Sequence, residues 1–146
     1  MAEDSLTVYI SIPMKEAEKS YLIEEALQKL GFKVNNPCRI PGIESADPAL
    51  LASHFAGKCY EMMEDSGLMI LLLDYFGRDC AVEIGYMNAS KKPVYGVSID
   101  REKAEAFLSG SSFQNDSSRT LNRLTKRFDS LDDLTVFLRE TYLKRE

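Results

Sequence analysis

Short apolar runs alternate along this chain with segments of helical periodicity. Residues 6–12 alternate apolar and polar positions, and residues 68–73 form one continuous apolar run that is too short to cross a membrane. Runs of this kind, bounded by turn residues, are typical of parallel strands buried on both faces. Between them, residues 15–30 repeat apolar positions three and four residues apart and end at Gly31, which predicts an amphipathic helix.

The rest of the chain continues the same alternation. Asp47 and Pro48 are typical of a helix cap and first helical position, and Ser130 begins a second capping pattern. Further strands are predicted at 32–34, 94–97 and within 123–128, and further helices at 47–65, 80–89, 100–108 and from 131. Alternation of this kind predicts an α/β fold: a flavodoxin-like or Rossmann-like three-layer sandwich. We expect one domain over residues 1–146, with a five-stranded parallel sheet in the order 2-1-3-4-5.

Composition narrows the class of protein. A net charge of −5 argues against a protein that binds nucleic-acid polymers. The acidic start has no apolar run behind it, and no segment is long enough to span a membrane, so we expect a cytoplasmic protein. Cys38, Cys59 and Cys80 lack metal-ligand spacing and are expected to be reduced, and His54 has no partner cluster for a metal. Residues 11–15 do not form a glycine-rich phosphate loop, so no flavin or other cofactor is expected.

Glu83 is the candidate reactive residue. It lies in the predicted helix after the most apolar strand, in its first turn or so, at the carboxyl edge of the sheet where ligands bind in open α/β folds. A carboxylate between Val82 and Ile84 is partly desolvated if this helix packs on the sheet, and can attack an electron-poor carbon such as the anomeric carbon of a sugar. Acids are also common in first turns because the helix dipole favours them, so position alone leaves both interpretations open.

A resemblance to a known family favours the chemical interpretation. The letters E-I-G-Y at 83–86, a helix of small residues and K-K-P-V at 91–94 resemble the signature of the nucleoside 2-deoxyribosyltransferase family. The strand at 8–13 resembles the opening strand of that family. The resemblance implies that Glu83 is a covalent nucleophile. Nucleotide N-glycosidases that cleave deoxynucleoside monophosphates belong to the same superfamily.

The chain departs from the family pattern on the base side of the expected site. The family has an Asp six residues before the Glu, and this chain has Gly77 there. Asp79, four residues before Glu83 and five after Asp74, is the expected replacement.

Two further departures concern other elements. The resemblance places a second family acid or Asn near Cys59, so Glu61 or Glu64 would have to replace it, and Ile12 stands where the family has Gly.

These observations predict an enzyme that acts on the N-glycosidic bond of a nucleoside or nucleotide. Glu83 would attack C1′ as the base leaves, and Asp79 would protonate or hold the base. A base as acceptor gives transfer, and water gives hydrolysis. Expected substrate contacts are Tyr9, Ser11, Pro13, Asp74, Gly77, Tyr86 and Asn122, with Tyr9 and Tyr86 as candidates to hold the sugar or orient the carboxylate. The alternative is a non-catalytic nucleotide-binding or regulatory module, which the Gly at position 77 favours.

We also expect a homo-oligomer, at least a dimer, whose interface includes the helix carrying Glu83 or the loop after the fourth strand. The Glu83 helix is rich in small residues that allow close helix approach, and Tyr86 and Met87 belong to types enriched at interface cores. The resemblance implies that a neighbouring subunit contributes to each site, with Asn122 or Asn115 as the candidate residue. No membrane partner is expected.

Overall fold

The computed structural model describes residues 6–50, 54–110 and 123–143. Five strands are present in this part of the chain: β1 Thr7–Ser11, β2 Lys33–Asn35, β3 Leu68–Leu72, β4 Val94–Val97 and β5 Lys126–Phe128. The helices are α1 Ala17–Lys29, the short α2 Pro48–Leu50, α3 Ala56–Glu64, α4 Arg78–Ala89, α5 Arg101–Leu108 and α6 Leu131–Leu138. Three short 3-10 turns and a final π-helical turn, Arg139–Leu143, complete the elements.

The strands form one parallel sheet in the order β2-β1-β3-β4-β5, which confirms the predicted fold class and strand order. β3 lies at the centre, and all five of its residues are buried. Its continuous apolar run is therefore explained by helices on both sides of the sheet. The order reverses between β1 and β3, so a crevice is expected outside the carboxyl ends of these two neighbouring strands.

Alternate residues of each strand supply two separate cores. On one face, the even-numbered residues of β1 and β3 pack against α1 and α6 through Ile23, Leu27, Leu134 and Leu138. On the other face, Tyr9, Met69 and Leu71 pack against α3, α4 and α5. Successive strand side chains point to opposite faces, so Ser11 lies on the same face as Tyr9. Both side chains are therefore directed toward the layer that carries Glu83.

Residues that the sequence analysis singled out begin and end several helices. Gly31 follows α1 with φ 101°, a left-handed conformation that suits glycine. The Asp47 carboxylate accepts a hydrogen bond from the Leu50 N–H, and the Ser130 hydroxyl accepts one from the Asp133 N–H. Asp100 caps α5 in the same way through the Lys103 N–H.

The structure corrects the placement of Glu83. Because α4 begins at Arg78, Glu83 is in the second helical turn and Asp79 occupies the first. The helix dipole acts mainly within the first turn, so it favours a charge on Asp79 more than one on Glu83. Within the described part of the chain, no helix combines the length and apolar character that a membrane crossing requires.

Candidate active site

Two hydroxyl groups hold the Glu83 carboxylate at the end of β1. The Tyr9 hydroxyl donates to Oε2 at 2.8 Å, and the Ser11 hydroxyl donates to Oε1 at 2.6 Å. Tyr9 and Ser11 are fully buried, whereas Glu83 is partly buried on the inner side of α4. The carboxylate is thus fixed in one orientation at the end of β1, with both of its oxygens engaged.

Burial destabilises the charged form of Glu83. Desolvation raises the pKa of Glu83 from its ordinary 4.5 to about 7, although the hydrogen bonds from Ser11 and Tyr9 act in the opposite direction. The nearby charge of Asp79 raises the pKa further, because Asp79 and Glu83 are four residues apart on one helix and face the same way. A carboxyl group that titrates near neutral pH is typical of acid, base and nucleophile sites.

Tyr9 acts as a hydrogen-bond donor and does not ionise. Burial, followed by the charge of Glu83, raises the pKa of the Tyr9 phenol far above its ordinary 10.0. The phenol therefore keeps its proton at every physiological pH and donates it in a hydrogen bond to the Glu83 carboxylate. Of the two roles that the sequence allowed for Tyr9, the structure supports orientation of the carboxylate.

Two thiols lie in the core around Tyr9, and sequence reasoning did not include them in the site. Cys80 of α4 is buried in the same apolar cluster as Tyr9, and Cys59 of α3 packs against this cluster. Burial and the charge of Glu83 raise the pKa of Cys59 to about 11 and that of Cys80 to about 12. A sequence signal existed for Cys80, which lies three residues before Glu83 and so shares its helix face.

Asp74 joins three segments of the chain at the carboxyl edge of the sheet. Its buried carboxylate accepts hydrogen bonds from the Ile99 N–H at 2.9 Å, the Asp100 N–H at 2.8 Å and the Lys19 ammonium group at 2.8 Å. These donors belong to the segment after β4 and to α1, whereas Asp74 follows β3. The substrate contact predicted at Asp74 stays a prediction, and the geometry adds a structural role, because Asp74 holds together the segments around the site.

The remaining predicted site residues have different surroundings. Gly77 is the exposed residue before α4, and a Cβ built there would meet nothing within 4 Å, so a side chain could be accommodated. Pro13 lies two residues after β1, directly before a 3-10 turn. Tyr86 packs edge-on against Tyr60, with ring centroids 5.5 Å apart. Asn122 and Asn115 lie outside the described residues.

The proposed replacements for the second family acid lie at the surface. Glu61 and Glu64 are exposed, and Glu61 lines a surface cavity of about 380 Å³ together with Arg39 and Lys58. Arg39, in the loop after β2, binds the Glu24 carboxylate at 2.7 Å. Among the described residues, no group of three or more His, Cys, Asp or Glu side chains is arranged to hold a metal ion.

Comparison with known proteins identifies the family. A family model described as nucleoside 2-deoxyribosyltransferase matches residues 8–131, which is most of the chain. This chain therefore belongs to the nucleoside 2-deoxyribosyltransferase family. No sequence among curated proteins matches it.

Two solved structures share the fold. A conserved protein from Enterococcus faecalis V583 matches with a TM-score of 0.68 and 18% identity, over 93% of this chain and 98% of the other. A 2-deoxyribosyltransferase from the psychrotolerant bacterium Bacillus psychrosaccharolyticus matches with a TM-score of 0.63 and 16% identity, over 88% of this chain and 90% of the other.

Asp74→Asn should lower the free energy of unfolding by about 2 kcal/mol, because an amide in place of one carboxylate oxygen leaves at least one buried donor without an acceptor. Asp79→Asn is the matched control: its side chain is exposed, so stability should change by less than about 0.5 kcal/mol. Urea denaturation of both variants measures the difference. Equal stability of the two variants would contradict the role assigned to Asp74.

Glu83→Gln should stabilise the protein more at pH 8 than at pH 4.5. The pKa of Glu83 is higher in the folded state than in the unfolded chain, so stability is lost as pH rises toward about 7 and stays lower above it. Glutamine removes this penalty, which is on the order of 3 kcal/mol. Melting temperatures of both proteins across this range test the sign, and a gain that is equal at both pH values would contradict the raised pKa.

Proposed function

We propose that this protein cleaves or transfers at the N-glycosidic bond of a deoxynucleoside or deoxynucleotide through a covalent glycosyl ester on Glu83. A Glu83 oxygen bonds to C1′ while the C1′–N bond breaks, and the electron pair of that bond leaves with the base. In the second half, a new base or a water molecule attacks C1′ and releases the Glu83 carboxylate. The protein is proposed to do this as one cytoplasmic domain, without a cofactor or metal.

The hydrogen-bonded carboxylate at the end of β1 is the observation that carries this proposal. Tyr9 and Ser11 fix its orientation, so little conformational freedom is lost when C1′ arrives. The carboxylate leaves as an anion in the second half of the reaction, and the same two donors stabilise that charge. A raised pKa also makes the carboxylate more basic than an exposed glutamate, which favours attack on carbon.

Asp79 is the proposed partner for the base. It lies one helical turn before Glu83, on the same side of α4, and it is exposed. A carboxyl group there can give a proton to a ring nitrogen of the leaving base or accept a hydrogen bond from its amino group. The open space at Gly77 beside it would leave room for the base.

The second candidate is a module that binds nucleotides without cleaving them. Gly77 and the neutral Cys59 favour it, because each stands where the family resemblance places a polar or acidic side chain. A non-catalytic module needs no reactive carboxylate, so it gives no reason for burying Glu83 at a cost in stability. We therefore favour the enzyme.

Glu83→Gln should abolish release of free base, because the amide cannot form the ester, and the loss should be several powers of ten in rate. Both proteins are incubated with a panel of deoxynucleosides and their 5′-monophosphates, with and without an acceptor base. The free base that is released is measured by chromatography. Wild-type kcat/KM should rise with pH through about 7, since the ionised carboxylate is the reactive form. Glu25→Gln, at an exposed glutamate of α1 on the other side of the sheet, is the control and should retain full activity. Near-normal turnover by Glu83→Gln would refute the assignment, and binding by the wild type without cleavage of any panel member would favour the non-catalytic module.

We also propose that the protein assembles through the outer face of α4. Val82, next to Glu83, is 56% exposed, and Tyr60 of α3 is 40% exposed beside Tyr86, so apolar surface continues across two helices. A second copy on this face would cover the approach to the site and exclude water, which favours transfer over hydrolysis.

Light scattering at micromolar concentration should show a dimer or a larger assembly. Val82→Glu should shift the protein toward monomer, because a charge at an interface core is costly. Val136→Glu, at an equally apolar exposed position on α6 in the opposite layer, should leave the assembly unchanged. A fully active wild-type monomer would contradict the shared site.

A further inference from the structure

The K-K-P-V motif at 91–94 carries part of the family resemblance, and the proposed function gives it no role. In the structure this motif follows α4, the helix of the proposed nucleophile. The Lys92 N–H donates to the Met87 carbonyl at 2.9 Å. The Lys91 N–H donates to the Asn88 carbonyl at 3.0 Å, and Lys91 has a φ of 60°. These two bonds around a left-handed residue form a turn that commonly ends helices.

The side chain of Lys92 crosses to a different helix. Its ammonium group donates to the carbonyl oxygens of Met63 and Glu64, both at 3.0 Å, at the C-terminal end of α3. The last carbonyl groups of a helix have no partner within that helix and carry partial negative charge, so a cation is favourable there. One lysine therefore ends α4 with its backbone and caps α3 with its side chain.

The two helices that Lys92 joins lie over the face of the sheet that holds the proposed active site. Met63 of α3 and Met87 of α4 are fully buried in the core that also contains Tyr9. Each helix ends a few residues before a strand begins, α3 before β3 and α4 before β4, so both end at the amino edge of the sheet. The lysine therefore fixes the spacing of α3 and α4 at the edge opposite to the site.

We propose that Lys92 is a positioning residue for Glu83: by joining the ends of α3 and α4, it holds Glu83 within hydrogen-bond reach of Tyr9 and Ser11. The second half of α4, a stiff helix, connects the two residues, so a shift at its C-terminal end moves the carboxylate as well. The bonds to the carboxylate are 2.8 and 2.6 Å long, and a displacement of about 1 Å would break them. The catalytic consequence rests on the proposed function, whereas the positioning does not.

Substitutions at Lys92 separate positioning from a general loss of stability. Lys92→Met removes the ammonium group and keeps a long unbranched side chain, whereas Lys92→Arg keeps the charge and the donors. Lys91→Met, at the exposed neighbouring lysine, removes an equal charge without removing the cap of α3. Ser130→Ala removes the N-cap of α6 in the opposite layer, and it should lower the melting temperature by about 3 °C, as Lys92→Met should.

The titratable groups that face Glu83 are the same in all four variants. They are Tyr9 of β1, Cys59 of α3, and Asp79 and Cys80 of α4. A change in the titration of Glu83 therefore reports a change in its hydrogen bonds and surroundings.

The direct readout is the titration midpoint of Glu83, followed by carbon-13 NMR of its side-chain carboxyl and assigned with Glu83→Gln. Wild type should titrate at about 7. The hydrogen bonds from Tyr9 and Ser11 lower the pKa of Glu83, so weaker bonds in Lys92→Met should raise the midpoint by about half a pH unit. At pH 6, kcat/KM should fall about threefold, because less of the carboxylate is ionised. Lys92→Arg should show a smaller shift, and Lys91→Met and Ser130→Ala should keep the wild-type midpoint.

An unchanged midpoint in Lys92→Met, or an equal shift in Lys92→Arg, Lys91→Met or Ser130→Ala, would overturn the positioning role. Lys92→Gln replaces the methionine variant if that protein does not fold, with the same expected direction. The NMR titration needs no substrate, so it decides the positioning role even if no base is released. Absence of cleavage together with the expected midpoints would overturn the proposed function and leave the positioning role standing.

Discussion

The pair of hydrogen bonds from Tyr9 and Ser11 to Glu83 is the interaction on which the site depends. A carboxylate in this position loses much of its hydration, and two hydroxyl donors replace only part of it. The result is a fixed carboxyl group balanced near neutral pH between its charged and neutral forms. Removal of either donor would move that balance toward the neutral acid, which cannot attack carbon.

The fold supplies this interaction through separate elements that must keep their register. β1 presents Tyr9 and Ser11 on one face because its side chains alternate, and α4 presents Glu83 from the layer packed on that face. Asp74 holds the segments after β3 and β4 and helix α1 together around the same edge. The site is therefore assembled by packing across the sheet, and its precision follows from the rigidity of the two cores.

The fold and the central residue, Glu83, could be predicted from the sequence, but the contacts of Glu83 could not. Strand order followed from the alternation of apolar runs and helices, and Glu83 followed from the E-I-G-Y motif. The spacing of Tyr9 and Ser11 indicates a shared face, yet it does not say what packs opposite, and Ser11 lies 72 residues from its partner. An acid at a strand end fits the pattern of both a ligand contact and a structural cross-link, so the sequence did not reveal that Asp74 binds the segment after β4 and helix α1. The sequence analysis did not include Cys59 itself in the site, because a thiol on an apolar helix face normally serves only core packing.

Mass spectrometry of the acid-quenched protein during turnover is the most direct test of the covalent mechanism. The protein is mixed with the best substrate of the nucleoside and nucleotide panel and quenched before the acceptor step is complete. The account predicts a mass increase of one deoxyribosyl group, or of its 5′-phosphate if that is the substrate, located on the peptide containing Glu83 and absent from Glu83→Gln. Rapid base release with no adduct at any quench time, or an adduct on another residue, would contradict it.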